Sequence, residues 1–246
     1  MSLATTAALS FLIVPAGFAA DAPKAPQGKF SLVRGTVESF DGKTIAIKTA
    51  TGAVDAAVSP QLRISTVEPR KFDSLKATDF VGITAVEGEN GHLRAEEIHI
   101  IPIAGIGEGQ YPWDHHPDGM TGAKAGSMTN GTVSLVHTAK AGTMTNAMIS
   151  SAPKADSWQL QVGYKGAALV NGKCMGLASS VPEGKGCTGT EAVDVTPATY
   201  IVALVPAKPE DIKPGLALFG TILTDDKGQA VLASITIEKN GVKPQF

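Results

Sequence analysis

The chain has 246 residues, of which 43% are hydrophobic and 18% charged, proportions typical of a globular protein with a packed core. A formal net charge of -2, with no cluster of Lys and Arg, gives no positive field for neutralising phosphates and therefore argues against a nucleic-acid ligand. The combination of 27 Gly and 15 Pro with only 5% aromatic residues indicates many turns and short strands rather than long helices.

Residues 1–20 predict a secretory signal. An apolar stretch covers residues 7–14, and the small residues Gly17 and Ala19 precede a cleavage position, although the usual basic segment is missing. A start further upstream, an atypical signal and a short apolar anchor are the alternatives. No other segment reaches the ~18 consecutive apolar residues of a membrane span. We expect a protein of the periplasm or a secreted protein, with no transmembrane segment in the mature chain.

An internal repeat sets the expected architecture. Residues 58–100 align without a gap to residues 195–237, at an offset of 137 positions. Gly35, Thr36 and Val37 match residues 131–133 at an offset of 96, so the second copy is 41 residues longer. The identical pairs in the main alignment include Val58 with Val195, Pro60 with Pro197, Ile64 with Ile201, Pro69 with Pro206, Thr84 with Thr221, Gly91 with Gly228, Ile98 with Ile235, and Ile100 with Ile237.

Alternating apolar residues in the first copy predict strands over 32–39, 44–49, 53–58, 63–67, 80–87 and 92–101. Tight turns are expected at Asp41-Gly42, Thr51-Gly52 and Asn90-Gly91. Five or six short strands in one small sheet favour closure of the sheet into a barrel, because closure removes the two open edges. The sequence therefore predicts an all-β fold of two tandem small antiparallel barrels, OB-like or SH3-like. A two-sheet sandwich spanning both copies is the alternative.

The expected domains are a first module over 28–102, a Gly/Pro-rich linker over 103–127 and a second module over 128–243. The extra residues of the second copy predict an insertion at about 138–190, which contains both cysteines of the chain. In an oxidising compartment we expect Cys174 and Cys187 to form a disulfide across a short loop.

Several motifs carry a resemblance to a known family. They are G-T-V-x-x-F-D-G-K-T from Gly35, S-L-K-x-x-D-F-V-G from Ser74, A-E-E-I-H-I from Ala95, and the second-copy runs at 211–220 and 233–237. These motifs, with the segments 107–114 and 127–130, resemble a bacterial family of uncharacterised exported β-domains with an OB-like barrel. Its members are sometimes filed under a metal-transporter permease name, which a chain without membrane spans contradicts. The resemblance implies a fold and an exported location, and it supplies no catalytic residues.

The segment following the first module is rich in His and Met. Imidazole and thioether groups suit copper, and carboxylates can complete a divalent site, so a copper or zinc site is one hypothesis. In the competing interpretation this segment is an exposed or packed linker, with Trp113 and Pro112 filling the junction between modules. The candidate ligands are Asp114, His115, His116, Asp118, Met120 and Met128.

Other polar residues point away from catalysis. His92 and His99 are replaced by Gln229 and Thr236 in the second copy, so we expect surface positions for both. The neighbours Glu96 and Glu97 should diverge on a strand and lie in solvent. No nucleophile elbow or phosphate-binding loop occurs. The sequence therefore favours a non-enzymatic binding or scaffold protein of the bacterial envelope, with an unknown envelope protein or small ligand as partner. The alternative is a periplasmic copper-type metal binder.

Overall fold

The computed structural model describes residues 29–88, 92–115, 124–138, 158–225 and 227–245. The described part is all-β, and its helices are single 3-10 turns at Phe72–Ser74, Ala178–Ser180 and Pro209–Asp211. The strands are β1 (Lys29–Phe40), β2 (Thr44–Thr49), β3 (Gly52–Pro69), β4 (Phe80–Glu87), β5 (Leu93–Ile100), β6 (Gly109–His115), β7 (Lys124–Thr138), β8 (Trp158–Gly166), β9 (Ala168–Val170), β10 (Lys173–Leu177), β11 (Cys187–Val195), β12 (Tyr200–Pro206), β13 (Ala217–Thr224) and β14 (Ala230–Ile237).

The strands predicted in the first copy are confirmed. β1, β2, β4 and β5 lie where apolar alternation placed them, and the two predicted strands 53–58 and 63–67 form the single strand β3. Asp41 makes the first turn, because its Oδ1 accepts hydrogen bonds from the N–H groups of Lys43 and Thr44, and Gly42 adopts a φ of 86°. The predicted turn at Asn90-Gly91 lies outside the described residues.

The strands belong to one large mixed sheet. Its pairings close two rings. Ring 1 runs β1–β2–β3–β14–β13 and back to β1. Ring 2 runs β7–β8–β11–β5–β4 and back to β7. Each ring therefore takes its last two strands from the other sequence copy.

The prediction of two tandem antiparallel barrels needs correction on this point. The final strands of the copies are exchanged, and β14 with β3 and β5 with β12 are parallel pairs. The exchange is symmetric: Gly35 lies opposite Leu218, and its repeat counterpart Gly131 lies opposite Val81, the counterpart of Leu218. β3 and β12 cross in the middle, where Val67 pairs with its own counterpart, Leu204.

Two apolar cores fill the rings. Ring 1 encloses residues of β1, β2, β13 and β14, among them Val37, Ile47 and Leu232. Ring 2 encloses residues of β4, β5, β7, β8 and β11, among them Ile83 and Leu160. A third cluster, which we call the seam, lies at the crossing and consists of Val67, Val202, Trp113, Tyr200, Leu204, Phe219 and Val242.

The predicted boundaries around the second copy also change. The range 138–190 is not one insertion, because β8 lies within it, pairs with β7 and β11, and buries Leu160 and Val162 completely. The expected linker 103–127 contains β6, which pairs with the first half of β7. Sequence alignment missed both strands because neither of them has a matching sequence in the first copy.

The shared glycines Gly35 and Gly131 are required by close strand approach. A Cβ atom on Gly35 would collide with the carbonyl oxygen of Lys48, and one on Gly131 with that of Gly163. We predict that Gly35→Ala and Gly131→Ala each lower the free energy of unfolding by about 1–3 kcal/mol, because backbone must move. Urea unfolding of the two variants measures the loss.

Gly163→Ala is the matched control, because a Cβ atom there meets no heavy atom within 4 Å. The expected change for this control is within about 0.5 kcal/mol. Equal losses in all three variants would show that the collisions at Gly35 and Gly131 do not explain the effect.

Candidate functional site

A buried charged pair lies on β5. Strand alternation places Glu97 and His99 on one face, opposite to Ile98, which enters the core of ring 2. Glu97 is 0% exposed and His99 4% exposed, and Nε2 of His99 lies 2.9 Å from Oε1 of Glu97. The prediction that these residues lie at the surface was wrong, because the face of β5 that carries their side chains is buried. His92, in contrast, is exposed as predicted.

The pair is close but incompletely hydrogen-bonded. The His99–Glu97 contact has the distance of an ion pair without the direction of a hydrogen bond, and neither carboxylate oxygen of Glu97 receives a well-directed hydrogen bond within the described part of the chain. Burial raises the pKa of the Tyr200 hydroxyl, and the nearby carboxylate of Glu97 raises it further. Unsatisfied buried polar atoms are rare in folded proteins and often mark functional sites.

Asn130 extends this polar region across β4. Its Nδ2 donates to the carbonyl oxygen of Gly107 and to the hydroxyl of Tyr111, while its Oδ1 is buried without a described partner. Gly82 makes the space, since a Cβ there would lie 2.6 Å from that Oδ1 and 3.4 Å from Nδ1 of His99. Burial raises the pKa of Tyr111 to about 12, so its hydroxyl stays protonated over the physiological range.

Trp113 joins β6 to the seam. It packs against Val67 and Val202, with its ring 6.2 Å from that of Phe219. The Arg34 guanidinium lies over Phe219 at 5.0 Å. The interpretation of Trp113 as a junction residue is therefore supported by its contacts.

The repeat shows that this polar region belongs to one half only. The counterparts of Glu97 and His99 are Ser234 and Thr236, and the pair of Asn130 with Gly82 corresponds to the pair of Arg34 with Phe219. One side of the crossing is therefore aromatic and the other is charged and buried. The sequence alignment shows that Glu97 and His99 are replaced in the second copy, but it does not show that their side chains are buried.

An open groove borders ring 1. It has a volume of about 450 Å³ and lies between the first half of β1 and the β2–β3 hairpin. Leu32, Val54 and Ile222 provide an apolar surface, and hydroxyl groups and one cation surround it. Such a mixture of apolar surface and a few polar groups is typical of ligand sites. The remaining lining residues are Ser31, Val33, Arg34, Thr49, Ala50, Thr51, Thr224 and Ala230.

The predicted metal ligands are only partly described. Asp114 and His115 end β6, and His116, Asp118 and Met120 lie outside the described residues. Met128 is 4% exposed on β7, where its sulfur accepts a 4.0 Å contact from the Thr84 hydroxyl. Within the described ranges no three His, Cys, Asp or Glu side chains come together. A copper or zinc site stays a prediction.

The disulfide between Cys174 and Cys187 is confirmed. It links β10 to the start of β11, and the Tyr164 hydroxyl on β8 lies 3.1 Å from the carbonyl oxygen of Cys174. The same hydroxyl lies 3.0 Å from Oε1 of Gln110, whose Nε2 donates to Glu191. The β9–β10 hairpin is thereby tied to β6, β8 and β11.

Comparison with known proteins adds no relative. No family model, no curated protein and no solved structure matches this chain. Among the residues that the structure describes, no helix has the length and hydropathy needed to cross a membrane. The groove of ring 1 is therefore the feature from which a function can be inferred.

Proposed function

We propose that this chain is an exported, non-enzymatic binding protein of the bacterial envelope, which takes its partner in the groove of ring 1. The observation that carries the proposal is the groove itself, about 450 Å³ of open space beside a fully formed core. Because its floor is apolar and its polar groups are mainly hydroxyls, it suits a ligand held by burial and a few hydrogen bonds.

Two further features support binding in an exported protein. The residues beside the groove include two exposed apolar side chains, Phe30 at 67% and Leu32 at 42%. Exposed apolar surface of this kind often marks an interaction site. The disulfide suits an oxidising compartment, as the N-terminal segment also predicts.

Site-specific crosslinking tests the proposal. A photoreactive benzoylphenylalanine replaces Ala50, an exposed groove residue, in the full chain produced in a bacterial host with its own signal. The matched control carries the same group at Glu210, an exposed residue of the 3-10 turn Pro209–Asp211 outside the groove. We expect an adduct of defined mass from position 50 and none from position 210. No adduct, or equal adducts from both, would contradict the groove as the binding site.

A further inference from the structure

The pair Asn-Gly occurs four times in the chain, with the Asn at positions 90, 130, 171 and 240. Asn is a chemically labile residue, and a following Gly makes it more so, because Gly has no Cβ atom to obstruct its backbone nitrogen. That nitrogen loses its proton and bonds to Cγ of the Asn side chain, the bond from Cγ to the amide nitrogen breaks, and ammonia leaves. Water then opens the resulting succinimide ring to give aspartate or isoaspartate, so the net reaction hydrolyses the amide to a carboxylate.

The structure places one of these pairs at the tip of the β9–β10 hairpin. Asn171 and Gly172 form a two-residue turn between the paired residues Val170 and Lys173, with φ values of 51° and 79°. Both turn residues are exposed. A Cβ atom added to Gly172 would meet no heavy atom within 4 Å, so the space around the attacking nitrogen is open.

A second pair forms a similar turn after β14. Asn240 and Gly241 are exposed, with φ values of 53° and 80°, and a Cβ atom on Gly241 would also meet no heavy atom within 4 Å. The two hydrogen bonds that close this turn join the backbone groups of Lys239 and Val242. Neither of these two bonds uses the N–H of Gly241, so the attacking nitrogen can react without breaking them.

A third pair, Asn130 and Gly131, lies inside β7. Asn130 is buried, and its Nδ2 donates to the carbonyl oxygen of Gly107 and to the hydroxyl of Tyr111. This part of β7 lies between β4 and β6. Cyclisation would require Asn130 to leave the sheet, so local opening of β7 must come first and the reaction rate falls by the opening equilibrium. The fourth pair, Asn90-Gly91, lies outside the described residues.

We infer that Asn171 and Asn240 are sites of non-enzymatic deamidation in the folded protein and that Asn130 is protected. The inference does not depend on the groove of ring 1. At the hairpin tip the product places a carboxylate beside Lys173. Its isoaspartate form adds a methylene group to the backbone, which a two-residue turn accepts only with a change in the pairing of β9 and β10.

Peptide mapping by mass spectrometry tests the inference on the purified full chain, aged in mildly alkaline buffer. Deamidation raises the mass of a peptide by about one dalton, and chromatography separates its isoaspartate and aspartate forms. In the folded chain we expect modification at positions 171 and 240, and modification at position 130 that is at least about a hundredfold slower. In the chain unfolded by urea all three positions should react at similar rates, since folding no longer protects Asn130.

Gly172→Ala and Gly241→Ala are reciprocal variants. Each should slow deamidation of the preceding Asn about tenfold or more, because the added Cβ atom obstructs the attacking nitrogen. Each should leave the other turn at its original rate, which also shows that the variant is folded. Equal rates at positions 130 and 171 in the folded chain overturn the inference. So does an intact Asn171 or Asn240 in the folded chain after the unfolded chain has reacted there, or a rate at position 171 that Gly172→Ala does not change.

Discussion

Glu97→Ala should lower the free energy of unfolding by about 3–5 kcal/mol, the largest effect that we expect for a single substitution. The carboxylate is completely buried and lies 2.9 Å from His99. Its removal takes away the polar atom nearest to the buried Nε2 of His99 and opens a cavity in the interior. Chemical denaturation at neutral pH, followed by tryptophan fluorescence, measures the change.

Two further variants make this result specific. Glu96→Ala, at the neighbouring irregular position of β5, removes a carboxylate that pairs with the half-exposed Arg94, and should cost less, about 1–2 kcal/mol. Replacing both members of the buried pair, as in Glu97→Met with His99→Leu, should recover much of the stability, because an apolar pair needs no charge compensation. A Glu97→Ala loss no larger than that of Glu96→Ala would mean that the pair does not stabilise this crossing.

Replacement of both cysteines by serine should lower the free energy of unfolding by about 3 kcal/mol. Cys174 and Cys187 are 13 positions apart, and cross-linking such a loop mainly restricts the unfolded chain. The loss should appear as a lower urea midpoint, and proteolysis of the β9–β10 hairpin should become faster.

Reduction provides the control for the disulfide. Dithiothreitol should lower the stability of the unaltered chain to that of the Cys174→Ser, Cys187→Ser variant and leave the variant itself unchanged. A loss below about 1 kcal/mol would indicate that the contacts of Tyr164 and Gln110 hold the hairpin without the covalent link.

The fold class and the first-copy strands were predictable because strand formation depends on local pattern. Apolar alternation gave β1, β2, β4 and β5, and Asp41-Gly42 gave the first turn. The disulfide followed from cysteine count and spacing. The inner strands of the second copy were harder to predict, because β8 has no recognisable sequence match to β2.

The candidate site was predictable only in fragments. Trp113 was recognised as a junction residue, and its contacts with Val67 and Phe219 agree. His99 was expected at the surface because its counterpart in the second copy is Thr236, and Glu97 because neighbouring carboxylates on a strand diverge.

The sequence by itself determined that the protein is made of short paired strands, that it contains an internal repeat of one unit, and that one disulfide forms. Only the tertiary structure decided that the two copies exchange their last strands. The reason is that equivalent strands present nearly the same apolar face, so a local pattern specifies that β4 and β13 must be paired but not which copy supplies the partner. That exchange places β5 between β4 and β12 at the position of Glu97 and His99, and it gives β1 its neighbour β13.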